Sequence, residues 1–282
     1  MVEFCMSRSV SKKNDAELEN EQLWKRYARQ IMLPELGEHG QRQLQAARVL
    51  IVGVGGLGSA VSLYLAAAGI GKIWLSDADK LEVSNLQRQI LYTSNDLNGI
   101  KSQVAAKRLK LLNPAVSLHA VSGWSEDSAS SLLFPDGKPV DLVIDATDNM
   151  TTRHSINRHC FTSRIPLLSA AATGWHGQLM LFDFRQSTVQ EGGCYHCLFP
   201  YEETVENCST LGILGPVVGI MGSYQALEAI KFLTGISSPL QQGKLLRFDA
   251  INSQWQATRR VCDPECSVCS SSRHVQETPY EI

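Results

Sequence analysis

The chain has 282 residues, 44% of them hydrophobic and 19% charged, and its 26 basic and 28 acidic residues leave a formal net charge of −2. The apolar fraction excludes a disordered chain, and the charge balance leaves no global field to hold nucleic acid or an anionic membrane. A soluble globular protein is expected, long enough to bury a large core without disulfides.

Met1 to Trp24 reads as a flexible polar tail, without the apolar core of a signal peptide. Val49 to Gly71 is an uncharged run long enough to span a bilayer. Four glycines close together (Gly53, Gly55, Gly56 and Gly58) break that run and mark a turn. With neither export signal nor anchor, a cytoplasmic protein is expected.

Within the run, Arg48 to Val52 reads as a buried strand and Leu57 to Ala68 as a helix closed by Gly69. Lys72 to Ser76 is a second strand, ending at Asp77. Lys101 to Leu112 shows apolar residues at helical spacing and stops at Asn113-Pro114. Val116 to Val121 and Val140 to Ile144 read as further strands, which sketches a parallel sheet covered by helices. Beyond residue 150 the pattern predicts a helix over Thr151–Ser163, then strands at Pro166–Ala171 and Gly177–Phe184. It ends with a helix from Gly222 to Leu233 and strands at Leu245–Asp249 and Gln254–Arg259. Gly192 to Leu211, poor in apolar positions, reads as an exposed loop. The fold expected is α/β: a Rossmann-like nucleotide-binding sheet with helices on both faces, continued by a mixed, antiparallel second half. One domain over 25–282, in halves 25–150 and 151–282, fits better than two independent domains.

Gly53-Val-Gly-Gly-Leu-Gly58 follows a strand and opens a helix, where glycines let the backbone approach a phosphate beside the free N–H groups of the helix start. Asp77, at the tip of the next strand, stands where an acid takes ribose hydroxyls, and Asp79 follows it on the loop. These features alone suit a NAD-dependent oxidoreductase equally well. Asn85, Arg88 and Lys101 come next, and several cations with an amide suit a triphosphate better than a dinucleotide.

Of eight cysteines, Cys194 and Cys197 form one C-x-x-C and Cys266 and Cys269 another, with a separation far longer than in a compact zinc ribbon. Four such thiolates in a reducing compartment point to tetrahedral zinc. Thiol–disulfide exchange is the competing use, but that motif would open a helix after a strand. His196 and Cys262 beside the pairs read as neighbours rather than ligands. Cys208, in a polar loop outside both pairs, reads as a reactive thiol rather than a core residue.

Arg26-Tyr-Ala-Arg-Gln30, the glycine loop, Asp77-Ala-Asp79, Ser84-Asn-Leu-Gln-Arg-Gln89 and Asp145-Ala-Thr-Asp-Asn149 together resemble the ThiF/MoeB adenylyltransferases, relatives of the ubiquitin-activating enzymes. The resemblance runs from about Arg26 to Cys269. It implies ATP-dependent adenylylation of the C-terminal glycine of a ubiquitin-like sulfur carrier with a Gly-Gly tail. Asp77 would hold the ribose, Asn85, Arg88 and Lys101 the triphosphate, and Asp148 a Mg²⁺ ion. Arg29 would reach the phosphates from the partner of a homodimer, and the four paired cysteines would hold a structural zinc. Asp145, earlier in the strand, reads as a local hydrogen-bonding acid. Gly193 to Pro200, Asn207-Cys208 and Leu214 to Gly222 look most like the ThiF branch of thiamin biosynthesis, where a similarly placed cysteine serves thiol chemistry with the carrier. The MoeB branch, acting on the molybdopterin carrier, shares the catalytic blocks. No rhodanese domain follows the cysteines, so sulfur is expected from a separate donor, a cysteine desulfurase or a rhodanese. A non-catalytic scaffold would have lost some of Arg29, Arg88, Lys101 and Asp148, and all four are present.

Overall fold

The computed structural model describes residues 24–185, 192–200 and 212–270. The tail up to residue 23, Cys5 and Cys208 lie outside the described residues. One sheet of eight strands carries the fold: β1 (Arg48–Val52), β2 (Lys72–Ser76), β3 (Ser117–Val121), β4 (Leu142–Asp145), β5 (Leu167–Thr173), β6 (His176–Phe182), β7 (Lys244–Asp249) and β8 (Gln254–Arg259). Their order is β3-β2-β1-β4-β5-β6-β7-β8, parallel through β5 and antiparallel beyond it. The strand order reverses direction at β1, between β2 and β4, and the carboxyl ends there form the crevice where open α/β sheets bind ligands.

Alternate residues of each inner strand serve two separate cores. Val49, Ile51, Ile73, Leu75, Leu142 and Ile144 face one side, against α2 (Gly37–Ala46), α3 (Gly56–Ala68), α4 (Lys101–Leu112) and α8 (Gly215–Leu233). Leu50, Val52, Trp74 and Val143 face the other, against α5 (Glu126–Leu133), α6 (Met150–Ser163) and the short α7 (Tyr195–Leu198). The side-chain period of two on a strand buried on both faces produces this division. A further helix, α1 (24–31), sits at the far end of α3: Tyr27 lies against Gly69, and its hydroxyl accepts from Asn113 Nδ2 at 2.8 Å. Among the described residues no helix is long and apolar enough to cross a membrane.

Two expectations are corrected. A helix, α5, lies between the strands read at 116–121 and 140–144; Ser125 caps it by accepting from Ser128 N, and parallel β3 and β4 require such a crossover. The last long helix begins at Gly215 rather than Gly222, because Gly222 is a packing glycine and not a helix start. A Cβ at Gly222 would fall 2.6 Å from the Leu57 carbonyl oxygen and 2.8 Å from Ala60 Cβ. Gly222→Ala should therefore force α3 and α8 apart and cost about 1–3 kcal/mol. Chemical denaturation measures this, and an unchanged midpoint would show that the two helices yield freely.

Candidate functional site

Gly53 takes φ +84°, and a Cβ there would meet the Ala146 carbonyl oxygen at 2.8 Å. A Cβ at Gly58 would strike the Gly53 carbonyl, so the first turn of α3 closes over the loop only with glycine there. Asp77 fixes the loop from the side: its carboxylate accepts from Val54 N at 2.8 Å and from Asp79 N at 2.9 Å. Burial pushes the Asp77 carboxyl up, against the opposing pull of the Val54 amide and the Lys101 charge. Tyr92, which the sequence reading did not single out, donates to the Val54 carbonyl at 2.7 Å. Burial, with Asp77 nearby, pushes its phenol well up, so it remains a donor.

The cations gather at this crevice. A Cβ on Gly56 would lie 3.5 Å from Arg88 Cγ, and Arg88 donates to the Ser84 carbonyl at 3.1 Å. Asn85 closes the turn before it by accepting from Glu82 N at 3.2 Å. Lys101 is nearly buried and its Nζ reaches the exposed Asp79 Oδ2 at 2.8 Å. Gln89 is buried behind Gly55, and its Oε1 has no hydrogen-bond partner among the described residues.

The two acids after β4 have separate surroundings. Asp145 is buried and fully engaged, as the local hydrogen-bonding acid that the sequence suggested. It accepts from Ser169 Oγ at 2.6 Å and Thr147 Oγ1 at 2.7 Å, and lies 3.5 Å from Arg153 Nη1. Arg153, buried on α6, also donates to the carbonyls of Thr147 and Ala170 and so fixes the turn that bears Asp148. The sequence marked Arg153 only by its place early in a helix; its partner on the strand before became visible in three dimensions. Asp148 itself is exposed, beside Asn149, whose Oδ1 caps α6 by accepting from Thr152 N at 3.0 Å.

Arg29 is not brought to this crevice within one chain. It is exposed on α1, at the opposite end of α3 from the glycine loop, about 20 Å away for a helix of 13 residues.

The paired cysteines converge on the opposite face of the sheet. The sulfurs of Cys194, Cys197, Cys266 and Cys269 all lie within 4.8 Å of one another. Cys194–Cys266 is 3.7 Å and Cys197–Cys269 is 3.4 Å, too long for disulfides. Sulfurs about 2.3 Å from a tetrahedral zinc stand roughly 3.8 Å apart, so the cluster fits such an ion. The segment read as an exposed loop from Gly192 is corrected where it is described: residues 192–195 are buried. They are held there by Tyr195 N donating to Asn157 Oδ1 at 3.0 Å and by Arg260 reaching the Leu181 and Gly193 carbonyls. His196 lies against His154 and Ser267 rather than in the sulfur cluster.

The ThiF family profile matches residues 27–268. The chain is 44% identical over 254 residues to the sulfur carrier protein ThiS adenylyltransferase of Escherichia coli K12, covering 90% of this chain and 98% of that protein. It is 39% identical over 256 residues to the molybdopterin-synthase adenylyltransferase of the same organism, covering 90% and 99%. A crystal structure of E. coli MccB with MccA-N7isoASN superposes with a TM-score of 0.73 over 93% of this chain and 84% of that one; at 23% identity the likeness is one of fold.

Proposed function

The chain belongs to the ThiF family, and we propose that it adenylylates the C-terminal glycine of a ubiquitin-like sulfur carrier protein. The observation that carries this reading is the grouping of Asn85, Arg88 and Lys101 around the glycine loop and Asp77. A carboxylate oxygen of the carrier attacks the α-phosphorus of ATP, the bond to the β-phosphate oxygen breaks, and pyrophosphate leaves. The attacking carboxylate is already ionised at neutral pH, so the step needs positioning and charge neutralisation rather than a general base.

Asp77 would accept from the ribose hydroxyls and the loop from Gly53 to Gly58 would face the phosphates. Arg88 and Lys101 would neutralise the triphosphate, Asn85 would donate to it, and Lys101 would exchange Asp79 for phosphate oxygens. Asp148 would hold Mg²⁺, which supplies further neutralisation of the phosphate oxygens. Arg29 would act across a homodimer; its distance from the loop of its own chain supports that role. The four paired cysteines would hold a structural zinc, and their convergence from segments far apart in the chain supports a clasp rather than a catalytic centre.

ThiS is the carrier we propose, since the relative at 44% identity is named for it. The molybdopterin synthase carrier is the second reading, favoured by the relative at 39%. Pyrophosphate exchange into ATP, run separately with purified ThiS and with the molybdopterin carrier, tests both: exchange with neither overturns the proposal. Cys208 would act after activation, receiving or holding sulfur from a separate donor such as a cysteine desulfurase. Cys208→Ser should then keep ATP–pyrophosphate exchange and lose thiocarboxylate formation in the complete system. Loss of exchange in a folded variant would place Cys208 in the adenylation step instead.

A further inference from the structure

The hydroxyl of Tyr92 closes a ring of hydrogen bonds beside the crevice. Val54, in the glycine loop, donates its N–H to Asp77 Oδ2 at 2.8 Å, and Asp77 Oδ1 accepts from Asp79 N at 2.9 Å. The Asp79 carbonyl in turn accepts from Lys101 N at 2.9 Å. From the other side, the Tyr92 hydroxyl lies 2.7 Å from the Val54 carbonyl oxygen and 3.3 Å from that of Lys101. Both backbone groups of Val54 and both of Lys101 are therefore engaged within the ring. The phenol has one proton to share between two carbonyls, and the shorter contact is to the loop. Tyr92 is buried, so it braces the ring from behind and is shielded from a ligand in the crevice. Its own place is fixed independently. The next residue, Thr93, donates its N–H to Asp96 Oδ2 at 2.7 Å, and Arg108 of α4 pairs with the same carboxylate oxygen.

We infer that Tyr92 is a positioning residue for the nucleotide, holding the glycine loop and the start of α4 at a set separation before ATP arrives. The inference rests on the adenylylation reading above. Lys101 has two ties to Asp79, one through its Nζ at 2.8 Å and one through its backbone N–H at 2.9 Å. Only the first must break when Nζ turns to phosphate oxygens. With its carbonyl on Tyr92 and its N–H on Asp79, Lys101 swings its side chain from a stationary base while the loop keeps its place. A glycine loop needs such an outside tie, because glycine restrains its own backbone least of all residues. ATP binding then has little backbone left to order, which is how preorganisation raises affinity.

The ATP affinity of the full-length protein, measured by calorimetry with Mg²⁺ present, tests this. Tyr92→Phe removes one oxygen atom and should weaken ATP binding roughly five- to tenfold, the scale of one hydrogen bond, with the KM for the carrier unchanged. Ser155→Ala is the control for a merely structural role. It breaks the bonds of a buried hydroxyl to Trp124 and Glu126, on the other face of the sheet, and should lower the melting temperature without moving ATP affinity. Equal ATP affinity in wild type and Tyr92→Phe, or an equal loss in Ser155→Ala, would overturn this inference alone. A wild type that binds no ATP would overturn the adenylylation reading as well. Should Tyr92→Phe fail to fold, hydrogen exchange of the wild type decides. The Val54 and Lys101 amides should be as well protected in the empty protein as with ATP; protection that appears only with ATP would show that the site is not organised in advance.

Discussion

Asp148→Ala should lose ATP–pyrophosphate exchange by about 10³-fold, the scale of removing one electrostatic contact to a charged transition state, while its melting curve and metal content stay at wild-type values. The side chain is exposed and caps no helix, so its removal leaves the turn intact. Asp145→Ala should do the reverse. Removing that carboxylate strands the buried Arg153 and leaves Ser169 and Thr147 without their acceptor. Breaking a buried pair in this way costs about 3–5 kcal/mol, so this variant should unfold far earlier in denaturant. Near wild-type exchange in Asp148→Ala would remove the metal role from that residue. Equal stability losses in both variants would mean that the two acids share one structural task.

Cys266→Ser should release the proposed zinc and lower stability by about 4 kcal/mol, the value for a site saturated at roughly a thousand times its dissociation constant. The loss should concentrate where the clasp acts. Residues 192–200 and 260–270 are drawn together at the cysteines, and their remaining ties then include Arg260, Asn157 and the contact of His196 with Ser267. Hydrogen exchange should rise first in these segments and in β8, while the amides of β1 and β2 stay protected. A metal-free protein of unchanged midpoint would show that the sulfur cluster carries no folding energy.

The nucleotide half was legible in the sequence because each of its parts is local. The glycine loop, Asp77 and the Ser84–Gln89 block announce themselves by spacing along one stretch, and the structure gathers them around α3. What escaped depends on partners distant in sequence. Gly222 looked like a helix start because its reason for being glycine is Leu57, on another helix. Arg153 and Tyr92 looked ordinary because their acceptors, on Thr147, Ala170 and Val54, are backbone carbonyls that no motif displays. The cysteine pairs were legible as a set, but the place of Cys262, with its Sγ 3.8 Å from Cys269 Sγ, was not, since it depends on Gly193 leaving room. Helix α5 was missed for a different reason: it is short and serine-rich, and its cap at Ser125 is its clearest signal.

The alternation of side chains along β1 has a consequence for how the molecule can be divided. Val49 and Ile51 belong to the layer beneath α3, and Leu50 and Val52 to the layer that also contains the cysteines. A fragment ending near residue 150 would keep the glycine loop and strands β1 to β4. It would lose α6, α7 and β5, leaving only α5 over the second row of the strands and an unpaired edge on β4. Such a fragment would have every residue proposed to bind ATP but would have lost most of the cover on one face of the sheet. The two halves are thus inseparable as objects even where their chemistry is distinct, because one short strand is the wall between them.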